Sequence, residues 1–302
     1  MRNNLKFAFW GTPDVASETL EILKQNGYIP SLVITSPDKP QGRKMLVTPP
    51  AVKVWAEVNK IPYVQPEKLD KGDLEIVFTT SSQAGEPRKA IFQQENMRES
   101  KNYFQINLFI VVAYGKIIPE EILNMPKFGS INIHYSLLPK YRGASPVESV
   151  ILNGDVETGV TIQQMEYKMD AGTIIAQEKV SIFPDEKALN LRKRLIKIGG
   201  ELLVKILPDI MEGKIKTVPQ NGSLASVCKK IKKEDGLIDL NGDPVKNYNK
   251  FRAYAVWPRT FFFKNGKRII ITKAKLENNK FVIEKVILEG GKETDYKVNT
   301  SK

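Results

Sequence analysis

The sequence predicts an α/β chain: a Rossmann-like, mostly parallel sheet followed by a smaller antiparallel β domain. Three observations carry this. Through the first two-thirds of the 302 residues, short β-rich runs alternate with helical patterns, as in repeated βαβ units. Asn107–Ala113 (NLFIVVA) is a near-continuous β-branched run, the mark of a strand buried on both faces of a parallel sheet. From Ala225 onward the runs become short, β-type and broken by polar turns, which suggests a barrel or a sandwich. The length also favours two cores over one.

The elements follow in order. Lys6–Trp10 (KFAFW) reads as a first strand, not a signal peptide, because the apolar stretch is short and no small-residue cleavage site follows. Gly11-Thr12-Pro13 turns into a helix through Val15, Leu20 and Leu23. Ser31–Thr35 is a second strand, and Pro49–Val58 opens with prolines before placing Val52, Trp55 and Val58 at helical spacing. Ser130–His134 is a further strand and Ser145–Leu152 a helix. Val160–Met165 and Thr173–Ile182 form a hairpin around Asp170-Ala171-Gly172. Glu186–Ile210 is a long amphipathic helix, and Gly213, Pro219 and Gly222 mark a linker. The late strands are Gly236–Leu240, Thr260–Lys264, Arg268–Thr272 and Lys280–Leu288. The polar, charge-mixed Lys71–Lys101 stretch is either a surface helix with a loop or an insertion.

Charge divides the chain. Residues 1–210 hold 26 Lys+Arg against 24 Asp+Glu, a net of +2, whereas residues 211–302 hold 20 against 10, a net of +10. A basic terminal region suggests a polyanion partner, reached through long-range steering and phosphate neutralisation. The alternative is a solvated lysine-rich surface. No apolar run of 18 residues is present, so no membrane-spanning helix is expected. A single cysteine, Cys228, cannot close an intramolecular disulfide, and a cytoplasmic location is the expectation.

The chain has one histidine, His134, two residues after Asn132. Side chains alternate along a strand, so the imidazole and the carboxamide share a face. The end of a strand in such a sheet is where ligands collect. Asp170, in the hairpin turn, could bring a carboxylate beside His134 and orient it; the plainer reading is that Asp170 is a good turn residue. Ser136 lacks a nucleophile-elbow motif, and one His with one Cys cannot make a His- or Cys-rich metal site. No G-x-G-x-x-G follows the first strand, so a dinucleotide is not expected. An amide, an imidazole and a carboxylate without a protein nucleophile point to acyl transfer between two bound substrates. The first two would hold an oxyanion, and the carboxylate would help remove a proton from an attacking amine.

These residues resemble the 10-formyltetrahydrofolate-dependent formyltransferases, and within them the branch acting on initiator methionyl-tRNA. The resemblance rests on Asn132-x-His134, Ser136-Leu137-Leu138-Pro139, Tyr141–Pro146 (YRGASP), Gly159-Val160-Thr161 and Asp170-Ala171-Gly172. It extends to Gly11-Thr12-Pro13, Pro37–Pro40 (PDKP) with Gly42-Arg43, Ala113-Tyr114-Gly115, Arg252-Ala253-Tyr254 and Trp257-Pro258, covering nearly the whole chain. It implies a catalytic set Asn132, His134 and Asp170, and folate contacts at Ser136, Leu137, Leu138, Pro139, Ala113, Tyr114 and Gly115. It implies tRNA contacts on the basic loop Lys39–Lys44, through Lys39, Arg43 and Lys44. It also implies 10-formyltetrahydrofolate as co-substrate without a metal, a monomer, and translation initiation as the setting. The implied architecture is a formyltransferase domain over residues 1–188, a connecting helix over 189–210 and a basic OB-like barrel over 211–302. A formyltransferase for a small amine would share the catalytic set without needing the basic domain. A nucleic-acid binder would need the basic domain and have no use for the set.

Overall fold

The computed structural model describes residues 5–42, 45–69, 71 and 106–296. All but the first residue of the charge-mixed 71–101 stretch, together with Arg43 and Lys44, lies outside the described residues. Tight packing divides the chain into two units. The first comprises Met1–His134, Val160–Glu178 and Ile196–Asn221; the second comprises Tyr135–Gly159, Lys179–Leu195 and Gly222–Lys302.

The strands of the first unit are β1 (Phe7–Gly11), β2 (Leu32–Ile34), the short β3 (Lys39–Gln41) and β4 (Leu46–Thr48), β5 (Tyr63–Val64), β6 (Leu108–Val112) and β7 (Ser130–His134). Helices α1 (Asp14–Gln25), α2 (Ala51–Val58) and α3 (Glu120–Leu123) lie between them in the chain. After β8 (Arg142–Gly143) and α4 (Pro146–Leu152) come β9 (Glu157–Gln164), β10 (Ile174–Ser181) and the 24-residue α5 (Ala188–Met211). The sheet order is β10-β9-β7-β6-β1-β2-β5. Pairings β5–β2, β2–β1, β1–β6 and β6–β7 are parallel, and β7–β9 is antiparallel. The expected mostly parallel sheet is therefore present. Every residue of β1 and β6 is buried, as continuous apolar runs require when helices cover both faces. Trp10, Phe109 and Tyr114 meet in this core, with ring centroids 5.2 Å apart in both Trp10 pairs.

The expected basic loop Lys39–Lys44 begins as a strand: β3 pairs antiparallel with β4, an element the pattern did not signal because Pro40 interrupts it. Asp38 roots this hairpin. Its carboxylate accepts from Gln65 Nε2 and from Lys53 Nζ, each at 2.7 Å, and Gln65 also donates to Ser36 O at 2.8 Å. The Gln65 hydrogen bond, then Lys53, hold the Asp38 carboxyl below the usual carboxylate range. A lowered value means the stabilisation is present above the ordinary carboxylate range and lost as pH falls through the lowered one. Asp38→Asn is accordingly expected to cost about 1–3 kcal/mol at neutral pH, since it leaves Lys53 without its counter-charge. The deficit should shrink as pH falls below the ordinary carboxylate value of about 4, because Asp38 of the unfolded wild-type chain then takes up a proton ahead of the folded one. Urea unfolding at pH 7 and pH 3 checks both statements.

The second unit closes on β11 (Val227–Cys228), α6 (Pro244–Ala253), β12 (Phe261–Lys264), β13 (Lys267–Glu277), β14 (Lys280–Leu288) and β15 (Glu293–Asp295). β11 pairs parallel with β8. Strands β12 to β15 form one antiparallel sheet in sequence order, the small β domain expected. Its core joins Ile238, Tyr248, Phe251, Phe262, Ile269, Ile271 and Val286. Helix α6 was not legible, and the reason is chemical. Asn247, Asn249 and Arg252 lie on it buried, with Arg252 donating to Asn249 Oδ1 at 2.6 Å and Glu186 O at 3.3 Å, so polar residues occupy positions where the helical period looks for apolar ones. Its start is a standard N-cap: Asp243 Oδ1 accepts from Lys246 N at 2.7 Å, ahead of Pro244 in the first turn.

Candidate active site

The strand pattern delivers two of the three groups. β7 runs over Ser130–His134 as expected, and Asn132 and His134 project to one face near its carboxyl end. Asn132 Nδ2 donates to Val111 O of β6 at 3.0 Å, which directs the amide along the sheet edge. The turn between β9 and β10 supplies the third group. Asp170 takes a left-handed backbone, φ 50°, and its Oδ1 stands 3.7 Å from His134 Nδ1. Asp170 is thus the turn residue expected, and the same turn sets its carboxylate beside the imidazole. At 3.7 Å the two atoms are adjacent but farther apart than a hydrogen bond. The His134 side chain is 7% exposed and that of Asp170 16%, so electrostatic interactions at this strand end are poorly screened by water.

Two glutamines, which sequence reasoning missed, complete the cluster. Register sets Asn132 opposite Gln163 and His134 opposite Thr161 across β7 and β9. Gln163, 2% exposed, donates through Nε2 to Asp170 Oδ1 at 3.1 Å and approaches Asn132 Oδ1 at 3.5 Å. Gln220 Nε2 donates to Gly172 O at 2.7 Å and Asp170 O at 2.9 Å, and lies 3.3 Å from Gln163 Oε1. The segment read as a linker therefore returns to the sheet: Val218 and Ile174 exchange two backbone hydrogen bonds of 2.8 Å, bringing Gln220 to the Asp170 turn. A pairing between residues so far apart in the chain leaves no local signal.

The remaining expected residues separate by unit. Ala113, Tyr114 and Gly115 leave the end of β6, beside Asn132's partner Val111, with Ala113 at φ 47° and Gly115 at φ 84°. Ala113 and Gly115 are exposed and Tyr114 is buried. Thr12 Oγ1 donates to Tyr114 O at 2.9 Å, tying the first turn of the chain to this exit. Ser136, Leu137, Leu138 and Pro139 belong to the second unit, where Ser136 Oγ donates to Lys140 O at 2.6 Å and the Leu138–Pro139 peptide is cis. Lys39 is exposed at the start of β3. Cys228 is buried in the second unit against the carbonyls of Tyr141 and Arg142. Among the described residues, no three His, Cys, Asp or Glu side chains are grouped to hold a metal, and no helix is long and apolar enough to cross a membrane.

What this sheet edge can do chemically is polarise one carbonyl oxygen and accept one proton, and the comparisons with known proteins agree in kind. A methionyl-tRNA formyltransferase of Halalkalibacterium halodurans is 38% identical over 264 residues, 87% of this chain and 76% of that protein. Two solved structures share the fold. One is a sugar 3N-formyl transferase in the presence of dTdp and 5-N-Formyl-THF (TM-score 0.65, 22% identity, 98% of each chain). The other is the methionyl-tRNA formyltransferase from Clostridium thermocellum (TM-score 0.54, 15% identity, 94% of this chain and 98% of that one). The pattern described as "Formyl transferase" matches residues 5–207, and "Formyl transferase, C-terminal domain" matches residues 230–299. With two-thirds of its length under the first pattern and most of the rest under the second, the chain belongs to the formyl transferase family.

Proposed function

We propose that the chain transfers the formyl group of 10-formyltetrahydrofolate to the α-amino group of methionine carried by initiator tRNA. The observation that carries the reading is the meeting of Asn132, His134 and Asp170 at one strand end, without a protein nucleophile among them. The methionine nitrogen attacks the formyl carbon. Asn132 Nδ2–H and an imidazole N–H of His134 hold the carbonyl oxygen as it becomes negative, the moment at which such donors contribute most. Asp170 orients the imidazole and takes the proton that the amine loses. The bond from the formyl carbon to folate N10 then breaks, and N10 receives a proton. Ala113–Gly115 supports the folate assignment: Ala113 and Gly115 are exposed and both take left-handed backbone, so the chain bends away from the strand and presents main-chain groups of these two residues where a pteridine edge carries donors and acceptors. Ser136–Pro139 completes the folate contacts in this reading, and the reaction takes place in the cytoplasm in a monomer.

The tRNA assignment draws on charge. Lys229, Lys230, Lys232 and Lys233 are all exposed, within a region of net charge +10 over residues 211–302. Lys39, Arg43 and Lys44 serve in this reading as contacts to the acceptor end. The test is formylation of methionyl-initiator tRNA by the full chain, measured against a nucleotide-linked amino sugar as acceptor. Activity on tRNA that falls steeply with salt is expected, because each phosphate neutralised releases counterions. Turning the four lysines to glutamate is expected to raise KM for tRNA by at least about tenfold, with KM for folate unchanged. Preference for the amino sugar, with no salt dependence, would overturn the tRNA assignment.

A further inference from the structure

The side-chain amides around Asp170 form a chain whose polarity is dictated from both ends. At one end, Gln220 faces the carbonyls of Asp170 and Gly172, which can only accept, so its NH2 group must point there. The 3.3 Å contact from that NH2 group then requires the oxygen of Gln163 to face it. At the other end, Asn132 faces Val111 O, which again can only accept, so Asn132 presents its oxygen toward Gln163. Both constraints demand the same orientation of Gln163: oxygen toward Gln220, NH2 toward Asp170 Oδ1 and Asn132 Oδ1. Reversing any one amide would set two donors or two acceptors face to face.

We infer that Gln163, held by Gln220, is the positioning residue of this active site. It braces the Asn132 amide in the orientation that Val111 O selects and fixes on which side the Asp170 carboxylate stands. The inference rests on the catalytic set proposed above and goes beyond it, since neither glutamine touches the reacting atoms. Val111 O takes one Asn132 N–H and leaves the other for a developing oxyanion, while Gln163 Nε2 holds the amide oxygen on the opposite side. The same NH2 group restrains Asp170 Oδ1, the atom 3.7 Å from His134 Nδ1. Register places Gln163 for both tasks, because it sits directly opposite Asn132 on the adjoining strand.

Gln163→Met keeps the length of the side chain and removes its polarity. It is expected to lower kcat for formyl transfer by about 10- to 100-fold while KM for folate and for the acceptor stay within about threefold, the signature of an interaction used in the transition state. Gln163→Glu sets a carboxylate against Asp170 and Asn132 Oδ1 and should lower kcat further. Gln220→Met should have a smaller effect in the same direction. A second readout is independent of turnover. His134 is the chain's only histidine, so its ring gives a single set of NMR signals, which Gln163→Met should shift through the displaced Asp170 carboxylate. A thermal melt unchanged within a few degrees separates positioning from unfolding. The inference is overturned if kcat of Gln163→Met stays within about threefold of wild type, whatever the ring signals do. If that happens while His134→Ala is inactive, the catalytic set stands and only the role of Gln163 falls. If His134→Ala is itself fully active, the set falls and the inference with it.

Discussion

Replacing His134 with alanine is expected to lower kcat for formyl transfer about 1,000-fold, with both KM values changed by no more than about threefold. The estimate follows from what the side chain does. Loss of one preorganised donor to an oxyanion costs roughly 100- to 1,000-fold, and His134 also stands beside the Asp170 carboxylate, Nδ1 to Oδ1 3.7 Å. An imidazole 7% exposed acts in a medium of lower effective dielectric than water, which places the expectation at the upper end of that range. Asn132→Ala should approach the same loss, and the double variant should lose much less than the product of the two, because donors that hold one oxygen act as a unit. Steady-state kinetics with each substrate varied in turn decides the matter. A His134→Ala enzyme retaining a tenth of wild-type turnover would place the chemistry elsewhere.

The second large effect lies in the backbone. A Cβ added at Gly172 would stand 1.8 Å from Gln164 O and 3.0 Å from the carbonyl carbon of the same residue. Both are main-chain atoms of β9 that cannot swing aside, so Gly172→Ala must open the turn between β9 and β10. Asp170, two residues earlier, would move away from His134, and the two carbonyls that Gln220 grips would separate. We expect a loss of at least about 100-fold in kcat, from displacement of a positioned group, with a stability cost of about 1–3 kcal/mol from overpacking. Gly213→Ala is the control. Nothing lies within 4 Å of its Cβ position, so only the left-handed backbone, φ 66°, is strained. About 1–2 kcal/mol of stability and no change in kcat are expected there. Chemical denaturation and kinetics on the two variants separate a clash at the site from general glycine loss. Wild-type turnover in Gly172→Ala would show that the turn tolerates displacement and that Asp170 is not held where the reaction needs it.

Much of this protein was legible before its structure, and the legible parts share a physical origin in short-range rules. Strands buried on both faces of a parallel sheet must be apolar throughout, which marked Asn107–Ala113. Strand alternation put Asn132 and His134 on one face, and the carboxyl edge of such a sheet marked where they would act. The tertiary structure decided what depends on register and on distant partners. Glutamine is a surface residue by type, so nothing local shows that Gln163 is 2% exposed and opposite Asn132, or that Gln220 reaches the Asp170 turn from a segment resembling a linker. Helix α6 was hidden for the converse reason: its buried face is partly polar, and Asn249 and Arg252 satisfy one another only once the unit has folded. Composition and period carry what water does to a side chain. Which polar group meets which is settled only when strands distant in the chain are laid side by side, because a buried amide is stable in one orientation and its partners choose it.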